Sequence, residues 1–158
     1  MFKAINLRKL ITSLIPAYIT GFLGWVFTRN SMNIYGELVQ PPLSPPGIVF
    51  PIVWIVLYTL MGISFYFVQT TNGNYNIKQK GYLAFYAQLV FNFVWTLLFF
   101  RFELYGVSAL WLAVLIFLIV LNIFYFGKIN KTAGWLLVPY LLWCIFALYL
   151  NIGIYVLN

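Results

Sequence analysis

The chain has no histidine, one cysteine and two carboxylates, Glu37 and Glu103. Each shortage removes a class of chemistry. Without imidazole there is no histidine general base, no His-ligated haem and no His metal site. A single thiol, Cys144, allows no internal disulfide, and with no histidine beside it a papain-like nucleophile is ruled out in practice. Neither acid falls in a hydrophobic run, so no carboxylate relay crosses such a run. Charge is scarce altogether. Charged residues make up 7% of the chain and hydrophobic ones 64%, whereas a water-facing domain carries about a quarter charged residues to wet its surface.

What is present is length without charge. No Asp, Glu, Lys or Arg occurs in residues 38–77, 81–100, 104–127 or 132–158. A helix needs about 20 mostly apolar residues to cross roughly 30 Å of hydrocarbon. The apolar residues are continuous rather than alternating, which argues against a transmembrane barrel. The pattern predicts an all-α membrane protein, a bundle of five transmembrane helices in a single domain covering residues 1–158. The spans are placed at about 10–28, 47–68, 81–100, 105–126 and 134–156. The first span follows basic residues as a signal peptide would, but it is too long for a typical apolar region and no small-residue cleavage site follows, so it reads as retained. Loops are short except residues 29–46, where Pro41-Pro42 and Pro45-Pro46-Gly47 stiffen the chain and residues 33–39 suit a short surface helix. A long ordered loop beside short ones points to function.

The nine bases and two acids give a net charge of +7. The bases lie in short loops beside the spans, so they read as topology signals facing a lipid bilayer, with no nucleic-acid partner. Five spans put Lys3, Arg8, Lys9, Lys78, Lys80, Lys128 and Lys131 on one side with no acid. Arg29 and Arg101 share the other side with Glu37 and Glu103. The positive-inside rule then places the N-terminus in the cytoplasm and the C-terminus outside.

Amides and aromatics recur at helical spacing. Gln88, Asn92, Trp95 and Phe99 share one face of the third span. Trp143, Phe146, Ala147, Leu150 and Asn151 share one of the fifth, and Trp54, Tyr58, Gly62 and Phe65 one of the second. Amides in hydrocarbon need partners, so Gln88, Asn92, Asn122 and Asn151 are expected to point inward. Two readings follow. The amides staple the helices and the aromatics pack, or the faces enclose a flat-walled cavity for a large planar apolar ligand.

Three segments in order carry a resemblance. They are residues 41–47 (PPLSPPG) running on to VWIVLYTLMG at 53–62, QLVFNFVWT at 88–96 and PYLLW at 139–143 followed by Phe146, Ala147 and Asn151. With the five spans, they resemble the tryptophan-rich sensory protein / translocator protein (TspO/MBR, peripheral benzodiazepine receptor) family. The resemblance implies a five-helix bundle, commonly a homodimer, in the membrane (for a bacterial member, the cytoplasmic membrane). It implies a pocket opening toward the first loop that takes porphyrins such as protoporphyrin IX as ligand, or isoquinoline-carboxamide and benzodiazepine-type drugs, with no required cofactor. Carried over, the pocket uses Pro46, Trp54, Tyr58, Gln88, Asn92, Trp143 and Ala147, and the helical faces add Trp95, Phe146 and Asn151. The tryptophan usual before Pro-Pro-Gly is Leu43 here. Three functions fit: a receptor or carrier for tetrapyrroles, a light-dependent porphyrin-degrading enzyme, or a transport or structural protein with no tetrapyrrole. Ala109 and Ala113, with Ala84 and Ala87, offer small-residue faces for a dimer.

Overall fold

The computed structural model describes residues 5–31 and 33–158; Lys3, counted above among the bases, lies outside them. Among the described residues, five helices are long and apolar enough to cross a membrane. They are α1 (Leu7–Thr28), α3 (Val49–Thr70), α4 (Tyr75–Thr96), α5 (Tyr105–Ile129) and the pair α6 (Lys131–Leu136) and α7 (Val138–Leu157); a short α2 (Ile34–Glu37) lies in the long loop.

Three of these helices start on an asparagine. Asn6 Oδ1 accepts the Lys9 amide at 3.0 Å, Asn74 Oδ1 that of Ile77 at 3.2 Å, and Asn130 Oδ1 that of Ala133 at 3.2 Å. Each side chain satisfies one of the amides a helix start leaves open. The Asn74 cap starts α4 six residues before the start expected near Gly81, so Lys78 and Lys80 belong to its first turns rather than to a loop. A π turn at Leu97–Arg101 ends α4. Glu103 then takes a left-handed φ of 54° and reverses the chain into α5. The last span breaks at Leu137 because Pro139, in the first turn of α7, has no amide to continue the ladder of α6.

The spans close a ring. Helix α1 packs on α3 and α4, α4 on α5, α5 on α6 and α7, and α6 back on α3. Close approaches hold it shut. A Cβ on Gly62 would lie 2.8 Å from Leu14 Cα, and one on Gly134 would lie 2.9 Å from Gly127 Cα, so neither position has room for a side chain. At the end where α1 starts, Ser13 donates to Gln69 at 2.8 Å and Asn130 to Thr71 at 3.0 Å. In that half Phe65 and Phe85 stack at 4.4 Å, with Phe126 over Phe85 at 5.7 Å.

At the opposite end the long loop is fastened to α7. Tyr149 donates to the Pro42 carbonyl at 2.8 Å, and the buried Pro41 ring lies against Gly153, where a Cβ would come within 2.6 Å of it. Asn158 bonds both backbone groups of Val39. Leu43 stands out from this loop, 83% exposed, at a left-handed φ of 69°. Of the small residues considered for a dimer face, Ala84 is buried within the chain and Ala113 is exposed.

Candidate functional site

The amides point inward as their cost in hydrocarbon demands. Gln88, Asn92, Asn122 and Asn151 are each at most 1% exposed. Two networks consume most of them. In the first, Tyr58 donates to Asn92 Oδ1 at 2.9 Å, Asn92 Nδ2 donates to the Tyr140 hydroxyl at 3.1 Å, and Tyr140 donates to Gln88 Oε1 at 2.9 Å. The chain has one direction, which fixes both phenolic hydrogens. In the second, Trp95 Nε1 donates to Asn151 Oδ1 at 3.1 Å, and Asn151 Nδ2 donates to the Tyr105 carbonyl at 2.8 Å. These bonds tie α3, α4, α5 and α7 together through groups that would otherwise stand unpaired in an apolar interior.

A cavity of about 370 Å³ rests on the Tyr58 end of this network. Helix α1 supplies Tyr18, Gly21, Phe22, Gly24, Trp25 and Thr28 to its wall. Helix α3 supplies Phe50, Pro51, Trp54, Ile55 and Tyr58, and α4 with its π turn supplies Trp95, Thr96 and Phe100. Ring faces dominate. Trp54 stacks on Tyr58 at 5.4 Å, lies 6.3 Å from Trp95 and meets the edge of Tyr140 at 6.1 Å. The wall's threonines are spent on their own helices, Thr28 donating to the Gly24 carbonyl at 2.7 Å and Thr96 to that of Asn92 at 3.0 Å. Gly21 lets the Tyr58 ring reach α1, since a Cβ there would lie 2.5 Å from that ring.

Two guanidinium groups stand at the outer end. Arg29 lies over the Trp25 ring, 5.7 Å from its centroid. Arg101 donates to the Phe27 carbonyl at 3.1 Å, one of the open carbonyls in the last turn of α1. Among the described residues neither is within ion-pair distance of Glu37 or Glu103.

The residues picked out from sequence divide among several places. Trp54, Tyr58 and Trp95 line the cavity. Gln88, Asn92 and Asn151 lie behind its wall in the two networks, and Ala147 is buried on α7. Trp143 and Phe146 line a separate, open groove of about 490 Å³ between α3 and α7, where the Trp143 indole N–H is buried with no partner among the described residues. Pro46 is exposed and lines neither space; its carbonyl accepts the Val49 amide at 3.0 Å as α3 begins. Sequence reasoning missed the α1 wall. Tyr18, Gly21, Phe22, Trp25 and Thr28 do recur at helical spacing, and that was the available signal.

Three of the five spans wall this cavity, and sequence comparison gives the family of the whole chain. The sequence model of the TspO/MBR family matches residues 12–157. The chain belongs to the TspO/MBR family. It is 36% identical to the "Tryptophan-rich protein TspO" of Archaeoglobus fulgidus, over 97% of this chain and 99% of that one. It is 35% identical to a "Tryptophan-rich sensory protein" of Cereibacter sphaeroides, over 74% and 72% of the two chains. It is 31% identical to the "Translocator protein" of Bos taurus, over 88% and 83%. Family membership and the five spans make it an integral membrane protein. The fold and family read from the sequence therefore hold over nearly the whole chain.

Proposed function

We propose that the protein is a membrane receptor or carrier for porphyrins, protoporphyrin IX among them, and for related planar apolar ligands of the isoquinoline-carboxamide type. The observation that carries this reading is the cavity walled by Phe22, Trp25, Phe50, Trp54, Tyr58, Trp95 and Phe100. Flat rings on several sides suit a flat apolar ligand, and the volume falls within the range of small-molecule pockets. The amide networks behind the wall hold the rings in place. The N-terminus faces the cytoplasm and the C-terminus the outside, in keeping with the bases gathered at one end. Two copies pair through outward-facing small residues such as Ala113.

Titrating the reconstituted protein with protoporphyrin and following tryptophan fluorescence tests the reading. The expected result is saturable quenching that Trp54→Ala with Trp95→Ala weakens at least tenfold. Unchanged affinity in that double variant would refute the site. A second reading, light-dependent porphyrin breakdown, draws support from the close Trp54, Trp95 and Tyr140 rings. Under illumination in oxygen, absorption of the bound porphyrin would then decay faster than that of free porphyrin in detergent.

A further inference from the structure

The cavity wall is unevenly covered. Its deep side is closed, with Tyr58 and Trp95 at most 8% exposed. Its near side is not. Tyr18, Phe22 and Trp25 of α1 are 41%, 62% and 50% exposed, and Ile55 of α3 is 59% exposed. All four lie within membrane-spanning helices, so the medium they face is lipid. No residue of the described part of the 29–46 loop lines the space.

The reason lies in how α1 and α3 meet. In the half where α1 starts they are held together by the Ser13 to Gln69 hydrogen bond and by Leu14 on Gly62, and the Tyr18 hydroxyl bonds Thr59. Beyond Tyr18, Gly21 lies close against the Tyr58 ring, and the two helices line opposite sides of a gap. Continuing the antiparallel pairing of Tyr18 with Thr59 by one turn sets Phe22 opposite Ile55, both on the rim. At the outer end Arg29 lies over the rim residue Trp25, and Arg101, on the turn that follows α4 and next to the lining residue Phe100, bonds the Phe27 carbonyl; neither is ion-paired among the described residues.

We infer that the cavity loads sideways from the bilayer through the gap between α1 and α3, and that its ligand is a planar apolar acid whose carboxylates Arg29 and Arg101 receive at the membrane surface. This rests on the reading of the cavity as a planar-ligand site and adds its entrance and its polar anchor. The apolar plate partitions into lipid before it binds, and the arginines hold its charged edge at headgroup depth. The fastened loop stays in place throughout.

Two measurements on the full-length protein in phosphatidylcholine vesicles test it. The first needs no ligand. Acyl-chain-brominated phosphatidylcholine should quench wild-type fluorescence more than it quenches Trp54→Phe, whereas acrylamide should show no such difference. Quenching of Trp54 by acrylamide and not by bromolipid would overturn the sideways opening. The second follows protoporphyrin transfer from donor vesicles in a Cys144→Ser background. A cleavable thiol linker joining Phe22→Cys to Ile55→Cys should slow loading at least tenfold, reversed by reduction, and one joining Val39→Cys to Asn158→Cys should not. The opposite pattern, or no effect of either linker, would overturn it. Arg29→Gln should weaken protoporphyrin about tenfold and leave its dimethyl ester unaffected. Equal loss for both, or displacement of protoporphyrin by added phosphatidylglycerol, would remove the carboxylate assignment. Bromolipid quenching of Trp54 with no porphyrin bound at all would keep the opening and refute the proposed ligand class.

Discussion

Asn158 and Val39 pair edge to edge: Asn158 Oδ1 accepts the Val39 amide and Asn158 Nδ2 donates to the Val39 carbonyl, each at 3.0 Å. A side-chain amide thus imitates one residue of a β ladder and binds the loop to the end of α7. Both bonds are exposed, so each contributes about 0.5–1.5 kcal/mol at most. Asn158→Ala should raise hydrogen exchange in residues 38–44 several-fold and leave the melting temperature nearly unchanged. Equal exchange in the two proteins would show that Pro41 and Tyr149 hold the loop alone.

Tyr140 should be far less tolerant. Removing its hydroxyl leaves Gln88 Oε1 and Asn92 Nδ2 without their partner in the buried interior. An unsatisfied buried group costs about 1–3 kcal/mol, although hydrogen bonds in membrane proteins average nearer 0.6 kcal/mol. Tyr140→Phe should lower the unfolding midpoint in a detergent titration, and Asn92→Leu, which breaks two bonds of the network, should lower it more.

Two glycines that face different neighbours should respond oppositely. A Cβ on Gly62 would press on Leu14 Cα at 2.8 Å, which is backbone and cannot turn aside. Gly62→Ala should therefore separate α1 from α3 and destabilise the protein. A Cβ on Gly24 would meet Thr96 Cγ2 at 3.5 Å, an ordinary contact. Gly24→Ala should fold normally, and Gly24→Leu should weaken protoporphyrin by occupying its space. Stability read from thermal unfolding and affinity read from fluorescence separate the two.

Orientation can be read by labelling. With Cys144→Ser as background, Asn158→Cys should react with a membrane-impermeant maleimide added outside intact cells, and Lys131→Cys should react only after permeabilisation. The reverse pattern would invert the bundle.

The legible parts of the molecule follow from strong physical costs. Charge cannot sit in hydrocarbon, which marks the spans, and an unpaired amide there is expensive, which turns Gln88, Asn92, Asn122 and Asn151 inward. The start of α4 was less legible because Lys78 and Lys80 read as loop, although Asn74 already offered the cap. The cavity's position was least legible of all. Helix α1 carries no amide past Asn6, so its one signal is the helical spacing of Tyr18, Gly21, Phe22, Trp25 and Thr28, which a face against lipid would show as readily as a face against a void. That choice is made by where α1 parts from α3, which depends on Gly62 admitting Leu14 and Gly21 admitting Tyr58.

The separation of α1 from α3 also has a depth. The stretch of α1 from Tyr18 to Thr28 that lines the cavity rises about 15 Å, half of a hydrocarbon layer about 30 Å thick. The gap therefore spans one monolayer. On the proposed orientation, with the N-terminus in the cytoplasm, that monolayer is the outer one. On that orientation and with sideways loading, a ligand made in the cytoplasm would first have to cross the membrane midplane, and the rate of its flipping between monolayers would then limit its supply to the protein.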